Sequence, residues 1–281
     1  MWIALPVLDE IVDRTLREDL GAGDLTSEAT VPADARAVAI AVARGPLVVC
    51  GGDVFRRVFE RLEASVVFEE LTPDGASVAK DAALWRVRGS ARALLMGERS
   101  ALNLVQRMSG TATAARTYVD ALPAGSTTRI TDTRKTTPGL RVLERYAVRC
   151  GGAHNHRDSL GTAVMIKDNH IIAAGGIEPA VARARARAPH LSKIEVEVAS
   201  LDELAIALRA GADVIMLDNF APDELAEAVR RAKGKALLEA SGGITLATLA
   251  RYASTGVDVI SVGALTHSAK AADIALDLAL A

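Results

Sequence analysis

The sequence predicts an α/β protein in two parts: an N-terminal α/β sandwich, mostly an antiparallel sheet with helices, and an open or near-closed α/β barrel of parallel strands. Two observations predict the barrel. Six short apolar runs in the second half, "TRITDTRKT", "TAVMIKDNH", "KIEVEVAS", "ADVIMLDN", "ALLEASGG" and "VDVISVGA", each end in polar or charged residues, and Ala-rich helical stretches separate most of them. Near-continuous apolar strands alternating with helices mean a parallel sheet covered by helices. The later strand ends, Glu197, Asp218, Glu239 and Ser261, recur at steps of 21, 21 and 22 residues, the length of one strand-helix unit. A doubly wound sheet would usually open on a G-x-G-x-x-G turn, which is missing.

The sandwich rests on a different texture. "LPVLDEIVDRTLREDL" carries Leu5, Leu8, Ile11, Val12, Leu16 and Leu20 at helical spacing, and Gly21 and Gly23 end it. "ARAVAIAVARGPLVVCGG", "SVVFEEL" and "AALWRVRGSARALL" are short β-branched or alternating runs, with "TPDG" as a turn between two of them. From Glu98 to Leu122 apolar residues step by three and four, a long helix suited to connect the two parts. The expected division is a sandwich over 1–104, joined by a C-terminal helix at 269–281, and a barrel over 105–268.

Composition limits the function classes. With 281 residues, 50% apolar content and a net charge of −2, the chain buries a sizeable core as one large or two small domains. No apolar run approaches the roughly 18 residues of a membrane span. Acids stand near the N-terminus where a secretory signal would be basic, so a cytoplasmic location is expected. Cys50 and Cys150, without metal-ligand spacing, read as inert thiols rather than a disulfide framework or zinc site.

Net charge hides a local imbalance. Between Arg129 and His170 eight Arg or Lys face four acids, so this window is +4 and the remainder −6. With 3% aromatics and no basic tail, a nucleic-acid surface is not expected. A pocket for a small polyanion is. In barrels the chemistry sits at the carboxyl ends of the strands, and there the sequence places Arg134 and Lys135, Lys167 with Asp168, Asn169 and His170, Glu195 and Glu197, Asp218 and Asn219, Glu239 with Ser241, and Ser261. Glycine-rich "ASGGIT" and "VGALTHS" after the last two strands suit phosphate, through backbone N–H groups and helix starts. On the glycines alone, tight turns explain them equally.

"GGAHNHRDSLG" adds His154, His156 and Arg157 in a Gly-bounded loop, where Arg would grip a carboxylate bidentately. No acid or Cys at ligand spacing accompanies these histidines, which weakens a metal reading. Lys167 suits a Schiff-base nucleophile, a charge clamp or a structural partner of Asp168. Glu197 and Asp218 alternate with apolar neighbours and so face the barrel mouth. They could bind Mg²⁺, directly or through water, balance positive charge on a sugar carbon, or pair with Lys167.

In order along the chain, "EDLGAGDLTSEAT", "ERSALNLVQRMSGTAT", "DTRKTTPGLRVLERYAVRCGGAHNHR", "IKDNH", "EVEV", "LDNF", "EASGGIT" and "GVDVISVGALTHS" resemble the quinolinate phosphoribosyltransferase family, the decarboxylating nicotinate-nucleotide pyrophosphorylases of NAD biosynthesis. The match runs from about residue 10 to 280. The resemblance implies transfer of phosphoribose from 5-phosphoribosyl 1-diphosphate to quinolinate, Mg²⁺ as cofactor, and a homodimer with shared active sites; assembly beyond the dimer is left open. It puts substrate binding on Arg134, Lys135, His156, Arg157 and Lys167, with Arg99 acting from the neighbouring subunit. It puts Glu197 and Asp218 near the ribose and metal, and Ser241, Gly242, Gly243, Gly263 and His267 in phosphate-binding turns. Lys135, Lys167, Glu197 and Asp218 are the catalytic set.

Ser159 and Thr162 stand where the family more often shows other residues, and Arg145 where lysine is usual. A molybdenum-transport-associated branch of similar fold typically loses "KDNH", which is intact here. A Schiff-base aldolase using Lys167, and a non-catalytic anion-binding or transport-accessory protein that would not need Glu197 and Asp218, are the readings from other classes.

Overall fold

The computed structural model describes residues 3–281. The chain begins α1 (Leu5–Leu20), α2 (Leu25–Thr30), β1 (Arg36–Ala43), β2 (Leu47–Val48), α3 (Gly52–Leu62), β3 (Val67–Glu70), β4 (Ser77–Val78), β5 (Ala83–Ser90) and α4 (Ala91–Asp120). It continues β6 (Arg129–Thr131), α5 (Arg141–Cys150), β7 (Val164–Ile166), α6 (Asp168–Ala174), α7 (Ile177–Arg187), β8 (Ile194–Val198) and α8 (Leu201–Arg209). The last elements are β9 (Val214–Asp218), α9 (Pro222–Ala232), β10 (Leu237–Ser241), α10 (Leu246–Ala253), β11 (Val259–Ser261), α11 (Ala264–His267) and β12 (Ile274–Leu280).

Two compact units form. The first holds the residues up to Arg116 with Thr136–Gly152 and Leu265–Ala281; the second holds Thr117–Lys135 and Ala153–Ala264. The division expected at 104/105 and 268/269 is therefore shifted, and α5, expected in the barrel, belongs to the first unit.

In the first unit a four-stranded antiparallel sheet runs in the order β12-β1-β5-β3. Strand β1 alternates as a half-buried strand must, burying Ala37, Ala39, Ala41 and Ala43. Helix α3 buries Val54, Phe55, Val58 and Phe59. Phe55 packs on Phe59 and on Trp85 of β5 with ring centroids 5.0 and 5.2 Å away, in the tilted and edge-on arrangements that aromatic quadrupoles favour.

Two expectations need correction. Residues 274–280 form a strand, not part of a helix over 269–281, and pair antiparallel with β1 from Ala43↔Ile274 to Ala37↔Leu280. Ile274, Leu276, Leu278 and Leu280 alternate with period two, and the pairing with β1 fixes them as a strand. Helix α4 begins at Ala91, seven residues before Glu98, because Ala91, Leu94, Ala101, Val105 and Met108 already bury one helical face.

A buried ion pair ties three segments of this unit together. Arg107 on α4 donates to Glu144 of α5 from Nε and Nη2 at 2.9 and 2.7 Å, and from Nη1 to the Ala269 carbonyl at 2.9 Å. The Thr137 amide and hydroxyl donate to the same carboxylate at 3.0 and 2.7 Å. Glu144 itself is fully buried.

The second unit is a six-stranded parallel sheet in the order β6-β11-β10-β9-β8-β7. All six expected strands are present. Among the described residues no ladder joins β7 to β6, so the barrel is open, as one of the two expected forms. Thr131 of β6 instead makes a lone parallel bridge with His154. Ile130, Ile194, Ile215 and Ile260 are fully or almost fully buried.

Candidate active site

Strand β6 stops at Thr131, three residues before Arg134, which lets Arg134 and Lys135 escape the alternation that would aim neighbouring strand residues oppositely. The loop from 153 to 157 is fastened beside them. Buried Asp132 accepts the His156 amide on Oδ1 and the Asn155 side-chain amide on Oδ2, both at 2.7 Å.

Together with the strand ends these segments enclose a cavity of about 460 Å³. Arg134, Lys135, His156, Arg157 and Lys167 line one part, and Glu197, Asp218, Glu239, Ser241 and Ser261 the rest. Eight of the residues assigned from sequence thus meet around one space. Gly242 and Gly243 follow Ser241 in the next turn, and Gly263 stands two residues beyond Ser261. Arg99, exposed on α4, and His267, exposed at the end of α11, belong to the first unit and are not among the lining residues.

The cations are held in tension. Burial, and then the neighbouring Arg134, pull the Arg157 guanidinium below its usual pKa, while Nη1 donates to the Ala163 carbonyl at 3.0 Å. An anion reaching both guanidiniums would relieve that repulsion. Lys167, at the end of β7, donates from Nζ to Glu197 on β8. Asp218 accepts from the Asn219 side chain at 2.8 Å. Glu197 and Asp218 therefore offer hard carboxylate oxygens to the cavity, a donor set that fits Mg²⁺, which takes one or two carboxylates alongside substrate phosphates.

Beneath them lies a layer whose role the sequence reading did not assign. His156 Nε2 sits 3.4 Å from Glu195 and 3.3 Å from Glu239, both buried. Burial opposes a charge on the ring, but the two carboxylates outweigh it and push the imidazole pKa up to about 10. Burial in turn raises the Glu195 carboxyl. The Arg157 amide donates to Nδ1 at 2.7 Å, and the lone pair it uses is the one a second ring proton would take, so protonation and this bond exclude one another. The signal for Glu195 was present in "IEVEV": with period two, Glu195 and Glu197 share a face of β8, Glu195 one pleat deeper.

His156, Arg157, Glu195 and Glu239 also border a second cavity of about 420 Å³ at the strand starts, with Arg129, Lys193 and Val259. The layer thus separates two spaces inside the barrel. A larger cleft of about 670 Å³ beside β7 is lined by Leu160, Val164, Met165, Ile166 and four alanines, with Arg157, His170 and Arg183 among them.

The turn after β10 shows why glycine is required there. Gly242 has φ +98°, and a Cβ on it would stand 2.2 Å from Asn219 Oδ1 and 3.0 Å from the Asn219 amide nitrogen. Gly243, at φ +61°, has open space where its side chain would be.

Comparison with known proteins decides the family. The chain matches the N-terminal domain of quinolinate phosphoribosyl transferase over residues 24–109 and the C-terminal domain over residues 111–277. The chain belongs to the quinolinate phosphoribosyl transferase family. Among its family relatives, the probable nicotinate-nucleotide pyrophosphorylase (carboxylating) of Bacillus subtilis is 43% identical, covering 97% of this chain and 94% of that protein. The human nicotinate-nucleotide pyrophosphorylase (carboxylating) is also 43% identical, over 96% and 91%. The crystal structure of NadC from Streptococcus pyogenes superposes with a TM-score of 0.96 at 38% identity, covering 100% of this chain and 99% of that one. Among the described residues no helix is long and apolar enough to cross a membrane.

Proposed function

We infer that this chain transfers phosphoribose from 5-phosphoribosyl 1-diphosphate to the ring nitrogen of quinolinate, with decarboxylation, giving nicotinate mononucleotide, diphosphate and CO₂ in NAD biosynthesis. Beyond the family relationship, the observation that carries this reading is the cavity with Arg134, Lys135, Arg157 and Lys167 on one side and Glu197 and Asp218 on the other. A dicarboxylate and a polyanionic donor require the first group, and a sugar carbon turning positive requires the second.

Arg134, Arg157 and Lys167 hold the two carboxylates, orient the ring nitrogen towards the anomeric carbon and exclude water. Lys135 serves the donor's phosphates or the dicarboxylate. His156, beside Arg157 in the same lining, contributes to substrate binding. As diphosphate departs, the fixed charges of Glu197 and Asp218 stabilise the developing positive charge on the ribose carbon. Mg²⁺, held by these two residues directly or through water, supplies charge neutralisation for the leaving diphosphate when bound. Ser241 and the turns at Gly242, Gly243 and Gly263 receive phosphate. Decarboxylation needs no base, because the pyridinium ring is itself the electron sink.

Arg99 completes the site from a neighbouring copy, in a homodimer of the cytoplasm. The aldolase alternative fares worse, since it lacks the family relationship and Lys167 Nζ already pairs with the Glu197 carboxylate.

The test is CO₂ release from quinolinate with the donor and Mg²⁺, with nicotinate as a competing substrate. Quinolinate should turn over and nicotinate should not; absence of CO₂ would overturn the assignment. Gly242→Ala should raise KM for the donor by about tenfold, or roughly 1.4 kcal/mol of binding, and leave KM for quinolinate nearly unchanged. Steady-state kinetics with each substrate varied in turn checks this.

A further inference from the structure

Cys50 and Cys150 stand a hundred residues apart in the sequence, yet in the first unit their sulfurs and a carboxylate oxygen of Asp74 lie within 4.8 Å of one another. Both thiols are free. Their approach is built into the fold. Asp74, in the "TPDG" turn, accepts the backbone N–H groups of Gly51 and Gly52 at 3.0 and 3.1 Å, which fixes the chain just after Cys50. The same carboxylate accepts the Tyr146 hydroxyl at 2.8 Å, one helical turn before Cys150 at the end of α5. One acid therefore positions both cysteines, and with three donors already on its oxygens it is poorly suited to complete a metal site.

The two thiols differ in the way an attacking and a resolving cysteine differ. Cys50 is fully buried, whereas Cys150 is partly exposed, so a small solute meets Cys150 first. Burial pushes the Cys50 thiol up, and the contact with Cys50 pulls Cys150 below its usual value. The thiolate is the reactive form of cysteine.

We propose that Cys50 and Cys150 are a redox modification site, a thiol pair that a peroxide converts into one intramolecular disulfide. In the first step the Cys150 thiolate attacks one peroxide oxygen, the O–O bond breaks, hydroxide leaves, and Cys150 becomes a sulfenic acid. In the second, the Cys50 sulfur attacks the sulfenic sulfur, loses its proton, and water departs as the S–S bond forms. Two thiols and one peroxide give one disulfide and two waters, and a thiol reductant reverses it. The bond would pin the end of α5, six residues before His156 in the sequence, to the β2–α3 junction. The proposal does not depend on the transferase reading.

Peptide mapping without reduction tests it on the whole protein. Fully reduced chain is treated with hydrogen peroxide, then denatured and alkylated. The expected product is one cross-linked peptide pair containing Cys50 and Cys150, two hydrogen masses lighter than the sum of its parts, with both cysteines lost to alkylation together and recovered after reduction. Cys50→Ser should leave Cys150 as a sulfenic acid that a 1,3-dione traps, and Cys150→Ser should leave Cys50 open to alkylation after denaturation. The wild-type map stands by itself if either variant fails to fold. Over-oxidation of Cys150 with Cys50 still free, a cross-link between two chains, or two unreacted thiols would each overturn the proposal.

Discussion

Lys167→Ala is expected to lower CO₂ release by about a hundred- to a thousandfold, or roughly 3 to 4 kcal/mol of barrier. Two losses combine. The cavity gives up a cation that faces the dicarboxylate, and Glu197 gives up the ammonium that now fixes its carboxylate. The second loss matters because a carboxylate aimed in advance needs no reorganisation when the sugar carbon becomes positive. Steady-state kinetics with saturating donor, backed by single-turnover CO₂ release, measures the effect. A fall of less than tenfold would mean that the chemistry lies elsewhere.

Arg107→Ala should destabilise the protein by about 3 to 5 kcal/mol, because it strands a buried carboxylate. Glu144 has 0% of its side chain exposed and would keep only the Thr137 donors. The Ala269 and Thr266 carbonyls would also lose their guanidinium partner. Arg107→Lys should recover little, since an ammonium cannot reproduce the fork that reaches Glu144 and Ala269 together. Urea unfolding is the measurement. If Arg107→Met with Glu144→Leu proves as unstable as Arg107→Ala alone, then the stranded charge is not the cause.

Much of this was legible because the barrel writes itself in local pattern. Apolar runs that stop abruptly at Lys167, Glu197, Asp218 and Ser241 announce both strand and site, since strand ends in an α/β barrel are where side chains leave the wall. What was illegible depended on partners distant in sequence. Residues 274–280 alternate with period two, but only their pairing with β1 makes them a strand. Arg107 and Glu144 look like ordinary charges on helix surfaces until the fold buries them. Cys50 and Cys150 carry no spacing signal, because a turn at Asp74 brings them together. Glu195 and Glu239 could be located but not assigned, since the ring between them arrives on a different loop.

The pairing of β1 with β12 has a consequence for how the chain is made. Ala37 finds its partner at Leu280, so the first strand of this sheet leaves the ribosome about 240 residues before the strand that will cover its edge. Synthesis at about 5–20 residues per second leaves that edge open for some 12 to 48 seconds. An uncovered edge is a template for unwanted pairing, and β1 meets the interval with alanines on one face and the β-branched Val38, Ile40 and Val42 on the other. Chains released before residue 274 would keep that edge permanently bare.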